Sequence, residues 1–223
     1  MHQSDLERAI LQNQNVAPFG ILINGRPGVG KTAASSMLVQ VLEAHNLQAI
    51  HIPFDSERHK FAPNGQYDFS DDNVRRLTYA NAAEHYSRRI QDGECLVIDT
   101  GARTNDVREL LLRIPGMHFV YLEAPLIEVI KRETLRSLRN ENPDLQRARY
   151  TYAKGIISLV SRGTIIDFPQ PGITVPFEKP LIEPHLKINT HKKPLGEVVL
   201  TIVTYLQDRG LINGAVYNPY SAA

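Results

Sequence analysis

The sequence lacks the features that mark several specialised classes of protein. It contains one cysteine, Cys95, in 223 residues, which excludes an internal disulfide and a cysteine-based zinc site. It has no excess of either charge, because 25 lysines and arginines are matched by 24 aspartates and glutamates. This balance gives no general attraction to nucleic acid or to anionic membranes, so any site for an anion has to be local.

Long hydrophobic runs are missing as well. The longest uncharged stretch near the amino terminus, residues 9–25, is interrupted by Gln12-Asn13-Gln14-Asn15 and by Pro18, so no membrane span is predicted. No basic segment followed by an apolar one opens the chain, and a signal peptide is not expected. We therefore expect a cytoplasmic protein without membrane or nucleic-acid partners.

The chain does have a clear alternation of short apolar runs with longer amphipathic stretches. The apolar runs predict buried strands at residues 19–24, 48–53, 95–98, 118–122 and 186–189. The amphipathic stretches predict helices at residues 32–45, 71–92, 104–113, 125–139, 145–162 and 195–209. Strands separated by helices require right-handed crossovers, and therefore a parallel sheet covered on both faces. The predicted fold class is α/β, with a doubly wound parallel five-stranded sheet.

Between the first predicted strand and the first predicted helix lies a phosphate-binding motif. Residues 25–32, Gly25-Arg26-Pro27-Gly28-Val29-Gly30-Lys31-Thr32, match GxxxxGK[ST] in the required context. Glycines let the backbone wrap a phosphate and direct its N–H groups inward, and the start of the helix adds partial positive charge. Lys31 can then reach the β- and γ-phosphates, and the Thr32 hydroxyl can ligate Mg²⁺. The predicted cofactors are ATP and Mg²⁺, and the predicted nucleotide contacts are Gly25, Gly28, Val29, Gly30, Lys31, Thr32 and Ala33.

Two acids follow the second predicted strand. Asp55 and Glu57 lie at the carboxyl edge of the sheet, where ligands of open α/β folds bind. Asp55 can accept the proton of an attacking hydroxyl group there and orient that group toward the γ-phosphate. The alternative is a solvated loop carboxylate near Arg58 and His59.

A third acid, Asp99, ends the third predicted strand after the apolar run of residues 96–98. An aspartate in this place commonly holds Mg²⁺ beside the threonine of the phosphate-binding loop. The alternative is a cap of the strand end, in which Asp99 accepts from backbone N–H groups of Thr100-Gly101. The sequence leaves both interpretations open.

Several short segments follow the phosphate-binding loop in a fixed order. They are Asp55-Ser56-Glu57-Arg58-His59, Phe69-Ser70, Asn73-Val74-Arg75-Arg76, Leu122-Glu123-Ala124-Pro125-Leu126, Lys154-Gly155, Pro176-Phe177-Glu178-Lys179-Pro180 and the carboxy-terminal Tyr205 to Ile212. In this order, over about residues 19–212, they resemble the adenylylsulfate kinase family, whose members phosphorylate the ribose 3′-hydroxyl of adenylylsulfate with ATP.

The resemblance implies a P-loop kinase domain at residues 19–212, between an amino-terminal extension (1–18) and a carboxy-terminal tail (213–223). Within it we expect a helical lid at about 126–162 and an acceptor loop at about 163–184. The catalytic residues expected are Lys31, Asp55 and Arg132. The acceptor-binding residues expected are Asp55, Glu57, Arg58, Phe69, Asn73, Lys154 and Phe168. Two of these, Phe69 and Phe168, match a pair that sandwiches the acceptor's adenine, although core packing is the alternative for each.

The lid contains three arginines at helical spacing, Arg132, Arg136 and Arg139. On closure such residues can neutralise the transferred phosphoryl group, which is worth about 10³- to 10⁵-fold in rate. The alternative is a solvated helix face partly paired with Glu128 and Glu133. The resemblance favours Arg132 as the catalytic one.

The sequence departs from the family in its acceptor segments. The stretch between Ser70 and Asn73 is shorter and lacks the family's arginine, and Thr100-Gly101-Ala102-Arg103 replaces its Ile-Ser-Pro. Losing an arginine that faces an anionic acceptor removes a contact worth roughly 1.5–3 kcal/mol. An altered acceptor preference is therefore expected.

The predicted function is transfer of the γ-phosphate of ATP to a hydroxyl of a small, nucleotide-like acceptor. One alternative is a kinase for a sugar, an antibiotic or another nucleotide conjugate. Another is an ATPase that acts as a conformational switch, but such proteins carry consecutive acids where Asp99 is followed by Thr100. The tail, with Tyr217 and Tyr220, is compatible with a frayed end or with packing on a second copy in a homodimer.

Overall fold

A computed structural model describes residues 17–68, 70–138 and 177–213 of the chain. The strands are β1 (Gly20–Asn24), β2 (Ala49–Pro53), β3 (Cys95–Thr100), β4 (Met117–Glu123) and β5 (Leu186–Asn189). The α-helices are α1 (Lys31–Ala44), α2 (Phe54–Glu57), α3 (Asp72–Gln91), α4 (Asn105–Leu112), α5 (Leu126–Leu138) and α6 (Leu195–Asp208). Two 3₁₀ turns, Arg58–Lys60 and Pro63–Gly65, join α2 to the segment before α3.

The five strands form one parallel sheet in the order β2-β3-β1-β4-β5, which confirms the predicted doubly wound architecture. Strand β1 is central and buried along its whole length. Its side chains alternate between the two faces, because successive residues of a strand point to opposite sides. Ile21 and Ile23 pack with the cluster that contains residues of α1 and α6, whereas Leu22 packs with residues of α3 and α4. Helices therefore cover both faces.

The register brings the carboxyl ends of three strands together. Ile23 of β1 lies opposite Asp99 of β3, and Asp99 in turn lies opposite Pro53 of β2. The phosphate-binding loop follows β1, and Asp55 follows β2 by two residues. All three features meet at one edge of the sheet, where ligands bind in open parallel sheets.

Two local features differ from the sequence-based expectation. Strand β3 continues through Asp99 to Thr100, so Asp99 lies within the strand and not at its end. The four residues of α2, which carry Asp55 and Glu57, form a single helical turn that is too short to give a periodic signal. The predicted helix at 145–162 lies outside the described residues, as do most of the extension and the tail.

A buried arginine joins the loop after β3 to the segment that begins at Phe177. Arg108 of α4 is 1% exposed and donates hydrogen bonds to the carbonyl oxygens of Ala102 (2.9 Å), Arg103 (3.0 Å) and Glu178 (2.5 Å). Its guanidinium also lies 5.2 Å from the ring centre of Phe177. The loop after β3 and the described segment before β5 are thereby joined through one side chain.

Replacement of Arg108 by methionine should lower the free energy of unfolding by about 3 kcal/mol, because it removes charge-assisted hydrogen bonds from a buried guanidinium to three carbonyl groups. Arg113→Met is the matched control, since the exposed Arg113 side chain pairs with Glu109 one helical turn away and such pairs contribute about 0.5 kcal/mol. Urea unfolding of both variants measures the difference. Equal losses in the two variants would contradict this role for Arg108.

None of the helices within residues 17–68, 70–138 and 177–213 combines the length and the apolar character needed to cross a membrane.

Candidate active site

The phosphate-binding loop turns tightly at the end of β1. A side chain at Gly25 would place its Cβ 2.3 Å from the carbonyl oxygen of Leu122, so only glycine fits beside β4. Gly30, at φ 98°, adopts the left-handed conformation that glycine tolerates best. Helix α1 starts at the next residue and has no side chain capping its amino terminus. Its first N–H groups remain available to an anion.

Lys31 is only 8% exposed, and its side chain reaches back to the start of the loop. Its Nζ donates to the carbonyl oxygen of Gly25 at 3.0 Å and to that of Arg26 at 3.2 Å. The ammonium is thus held under the loop, within the cradle in which the motif places phosphates.

A cleft of about 720 Å³ lies in front of the loop. The predicted site residues that line it are Gly28, Gly30, Lys31, Thr32, Ala33, Asp55, Asp99 and Arg132. Two predicted nucleotide contacts do not line the cleft: Gly25, the first residue of the loop, is buried, and the Val29 side chain packs into the core at 1% exposure. Val29 can therefore contact a nucleotide only through its backbone.

The carboxylate of Asp55 is held by the end of β3. The backbone N–H of Gly101 donates to its Oδ2 at 2.9 Å, and the Thr100 hydroxyl donates to its Oδ1 at 3.2 Å. Tyr79 of α3 lies behind this pair, with its hydroxyl 3.3 Å from the Thr100 hydroxyl. Burial, reinforced by the charge of Asp55, raises the pKa of the Tyr79 phenol. Because the Thr100 hydroxyl directs its one hydrogen to Asp55, the Tyr79 hydroxyl is the donor in its contact with Thr100. Tyr79, Thr100 and Gly101 together hold the Asp55 carboxylate in place where it lines the cleft.

Asp99 is engaged by a histidine that the sequence did not single out. His51 of β2 places its Nε2 2.7 Å from Asp99 Oδ2, and its Nδ1 lies 3.3 Å from the Ser36 hydroxyl. The strand-end cap weighed for Asp99 is wrong in one respect, because the N–H of Gly101 donates to Asp55 instead. Asp99 itself is 3% exposed and reaches the cleft.

The donor set at this edge suits Mg²⁺. The Thr32 hydroxyl and the Asp99 carboxylate both line the cleft, and Mg²⁺ prefers such oxygen ligands, with the remainder supplied by phosphates and water. No cluster of three or more His, Cys, Asp or Glu residues occurs in the described part of the chain. These residues fit a metal brought in with a nucleotide better than one held by a protein cage.

Arg132 of α5 lies at the side of the cleft and is anchored by a threonine. Its Nη1 donates to the Thr190 hydroxyl at 3.1 Å and its Nη2 to the Thr190 carbonyl at 2.8 Å. The Thr190 hydroxyl in turn donates to the carbonyl oxygen of Val29 at 3.1 Å. Arg132 is thus connected to the phosphate-binding loop. The side chain of Arg136 and the whole of Arg139 lie outside the described residues.

The predicted acceptor residues are only partly described. Glu57 pairs with Lys60 at 3.2 Å, and the Arg58 guanidinium stacks 4.4 Å from the ring centre of Tyr67. Asn73 is exposed in the first turn of α3, where its N–H donates to Asp71. Phe69, Lys154 and Phe168 fall outside the described residues, so the sandwich of an adenine ring stays a prediction.

The sequence of a known domain family matches this chain over more than half of its length. The match covers residues 21–154, and the family is described as an AAA domain. The chain belongs to the AAA domain family. The match includes the phosphate-binding loop, Asp55, Asp99 and Arg132, and it ends within the predicted lid.

Similarity to individual proteins extends over nearly the whole chain of this AAA domain protein. It is 26% identical over 208 residues to an adenylyl-sulfate kinase of Marinobacter nauticus, covering 90% of this chain and 89% of that protein. Its fold resembles the APS kinase of Mycobacterium tuberculosis in complex with AMPPNP and APS, with a TM-score of 0.63, 17% identity and coverage of 86% and 99%. A gluconokinase of Sinorhizobium meliloti has a TM-score of 0.51, with 18% identity and coverage of 87% and 95%.

Proposed function

We propose that the protein is an ATP-dependent kinase that transfers the γ-phosphate to a hydroxyl group of a small-molecule acceptor. The observation that carries the proposal is the position of Asp55, whose carboxylate is fixed by Gly101 and Thr100 while it lines the same cleft as Lys31 and Thr32. A switch ATPase of the kind considered above carries its second acid directly after the third strand, where this chain has Thr100, whereas the oriented carboxylate here follows the second strand.

In this proposal Lys31 and the N–H groups of the loop stabilise negative charge on the transferred phosphoryl group. Asp55 accepts the proton of the acceptor hydroxyl. At the same time the oxygen of that hydroxyl forms a bond to the γ-phosphorus, and the bond from the γ-phosphorus to ADP breaks. Mg²⁺, when bound at Thr32 and Asp99, supplies charge neutralisation of the phosphates. Arg132 adds a positive charge at the side of the cleft.

The acceptor is proposed to be adenylylsulfate or a related nucleotide conjugate, from the similarity to the Marinobacter nauticus enzyme. The fold neighbour described as a gluconokinase makes a sugar acid the second candidate. The domain bounds, the cytoplasmic location, the homodimer and the lack of nucleic-acid partners remain predictions from the sequence.

Incubation with γ-labelled ATP, Mg²⁺ and separate acceptors tests the proposal. The panel consists of adenylylsulfate, AMP, adenosine, gluconate and glucose, and label should appear in a phosphorylated acceptor. Hydrolysis of ATP with no labelled acceptor, stimulated only by a protein partner, would instead indicate a switch ATPase.

A further inference from the structure

His51 approaches Asp99 because the two residues lie on one face of the sheet. In the register of β2 and β3, His51 is opposite Val97, and Asp99 follows Val97 by two positions. Residues two apart in a strand point to the same face, and Val97 packs in the cluster that contains residues of α1. His51 and Asp99 therefore meet under the helix that follows the phosphate-binding loop.

The histidine bridges Asp99 and this helix. His51 Nε2 lies 2.7 Å from Asp99 Oδ2, and His51 Nδ1 lies 3.3 Å from the hydroxyl oxygen of Ser36. A carboxylate only accepts hydrogen bonds, so Nε2 carries the hydrogen of the first contact. In the neutral ring Nδ1 then accepts from the Ser36 hydroxyl. Ser36 thereby holds the ring in the tautomer that donates to Asp99.

Ser36 lies on the same side of α1 as Thr32. The two residues are four positions apart on this helix, which makes them neighbours on its surface. Ser36, Thr32 and Asp99 all line the cleft, whereas His51 is not among the described residues that do so. His51 therefore acts on a ligand in the cleft only through the residues that it holds.

The Asp99 carboxylate depends on this contact. Asp99 is buried, and within residues 17–68, 70–138 and 177–213 only His51 donates a hydrogen bond to its carboxylate. Burying a carboxylate without a donor is costly, so His51 is needed to keep Asp99 charged in this position. The hydrogen bond occupies Oδ2, and the other oxygen, Oδ1, is left for a cation.

We propose that His51 is a positioning residue for the metal site, because it holds Oδ2 of Asp99 and so presents Oδ1 to a divalent cation that enters with the nucleotide. The inference rests on the proposed function, in which Thr32 and Asp99 bind Mg²⁺. Hydrogen-bonded partners fix the orientation of ligating side chains, and their loss costs about 10- to 100-fold in metal affinity.

The ratio of the affinities for ADP in Mg²⁺ and in EDTA, measured by calorimetry, tests the proposal. The affinity of free ADP for Mg²⁺ is the same in every experiment, so a change in this ratio reports the metal affinity of the protein–ADP complex. His51→Leu should lower the ratio about 10- to 100-fold. The affinity for ADP in EDTA should change by less than about threefold, because His51 does not line the cleft.

Further variants separate positioning from packing. His51→Gln and His51→Asn differ by one methylene, and only the longer side chain can bring an amide N–H to the place of Nε2. The glutamine variant should keep the ratio within about threefold of the wild type, and the asparagine variant should lower it as leucine does. In an Asp99→Asn background, His51→Leu should change the ratio by less than about twofold, because His51 acts through Asp99.

His85→Leu is the matched control, because His85 is exposed on α3 and does not line the cleft. Its ratio should equal that of the wild type.

A ratio in His51→Leu within about twofold of the wild type, or equal losses in His51→Gln and His51→Asn, would overturn the proposal. If label passes from ATP to an acceptor while the ratio does not depend on His51, the positioning role fails and the kinase activity stands. If the ratio depends on His51 but no acceptor is labelled, the proposed kinase activity fails and the positioning role stands.

Discussion

Replacement of Lys31 by alanine should lower the rate of γ-phosphate transfer by about 10³-fold. Lys31 is buried under the phosphate-binding loop, and in the proposed reaction it stabilises the charge that develops on the transferred group. Removing one well-placed donor from such a site costs about 10²- to 10³-fold, and here the donor also carries a full charge. Transfer of label from ATP under saturating acceptor measures the loss.

Nucleotide binding should weaken in the same variant, since the loop carbonyls of Gly25 and Arg26 also lose their donor. Lys193→Ala is the control, because Lys193 contacts Glu197 on a surface helix and does not line the cleft. Transfer within tenfold of the wild-type rate in Lys31→Ala would remove this lysine from the mechanism.

Replacement of Asp55 by asparagine should reduce transfer by about 10²- to 10⁴-fold, the usual contribution of a general base. Asparagine keeps an oxygen that accepts from the Gly101 N–H. Its amide group can donate to the Thr100 hydroxyl, provided that Thr100 then donates its own hydrogen to the Tyr79 hydroxyl. The local structure should therefore persist. ATP affinity should change by less than about threefold, because in the proposed reaction Asp55 contacts the acceptor and not the nucleotide.

The measurement pairs a transfer assay with ATP binding by calorimetry. Asp92→Asn, at an exposed position after α3, controls for loss of a carboxylate elsewhere. If Asp55→Asn transferred phosphate at the wild-type rate, the alternative of a solvated loop carboxylate would be correct for Asp55.

The sheet was predictable because its strands are short apolar runs between recognisable helices. The first and last residues of each predicted strand differ from those of the observed strand by at most two positions. The exception at the end of β3 has a physical cause: Asp99 and Thr100 are polar, but they still pair with β1 and β2 in the register of the sheet. A polar residue at a strand end gives no signal of such pairing, because the signal rests on apolar alternation.

The phosphate-binding loop was predictable because its chemistry is local in sequence. The support around Asp55 was not, since it depends on which residues of β3 and α3 come to lie behind α2. Thr100, Tyr79 and His51 have no spacing that marks them, and they come close to Asp55 and Asp99 only through strand register and helix packing.

Thr190 couples two parts of the site mechanically. Its single hydroxyl touches the carbonyl of Val29 in the phosphate-binding loop, and its hydroxyl and carbonyl both hold Arg132 of α5. If a nucleotide shifts the loop backbone in the proposed kinase, we therefore expect the shift to reach α5 through this one buried side chain. The orientation of the first turns of α5 would then depend on whether the cleft is occupied.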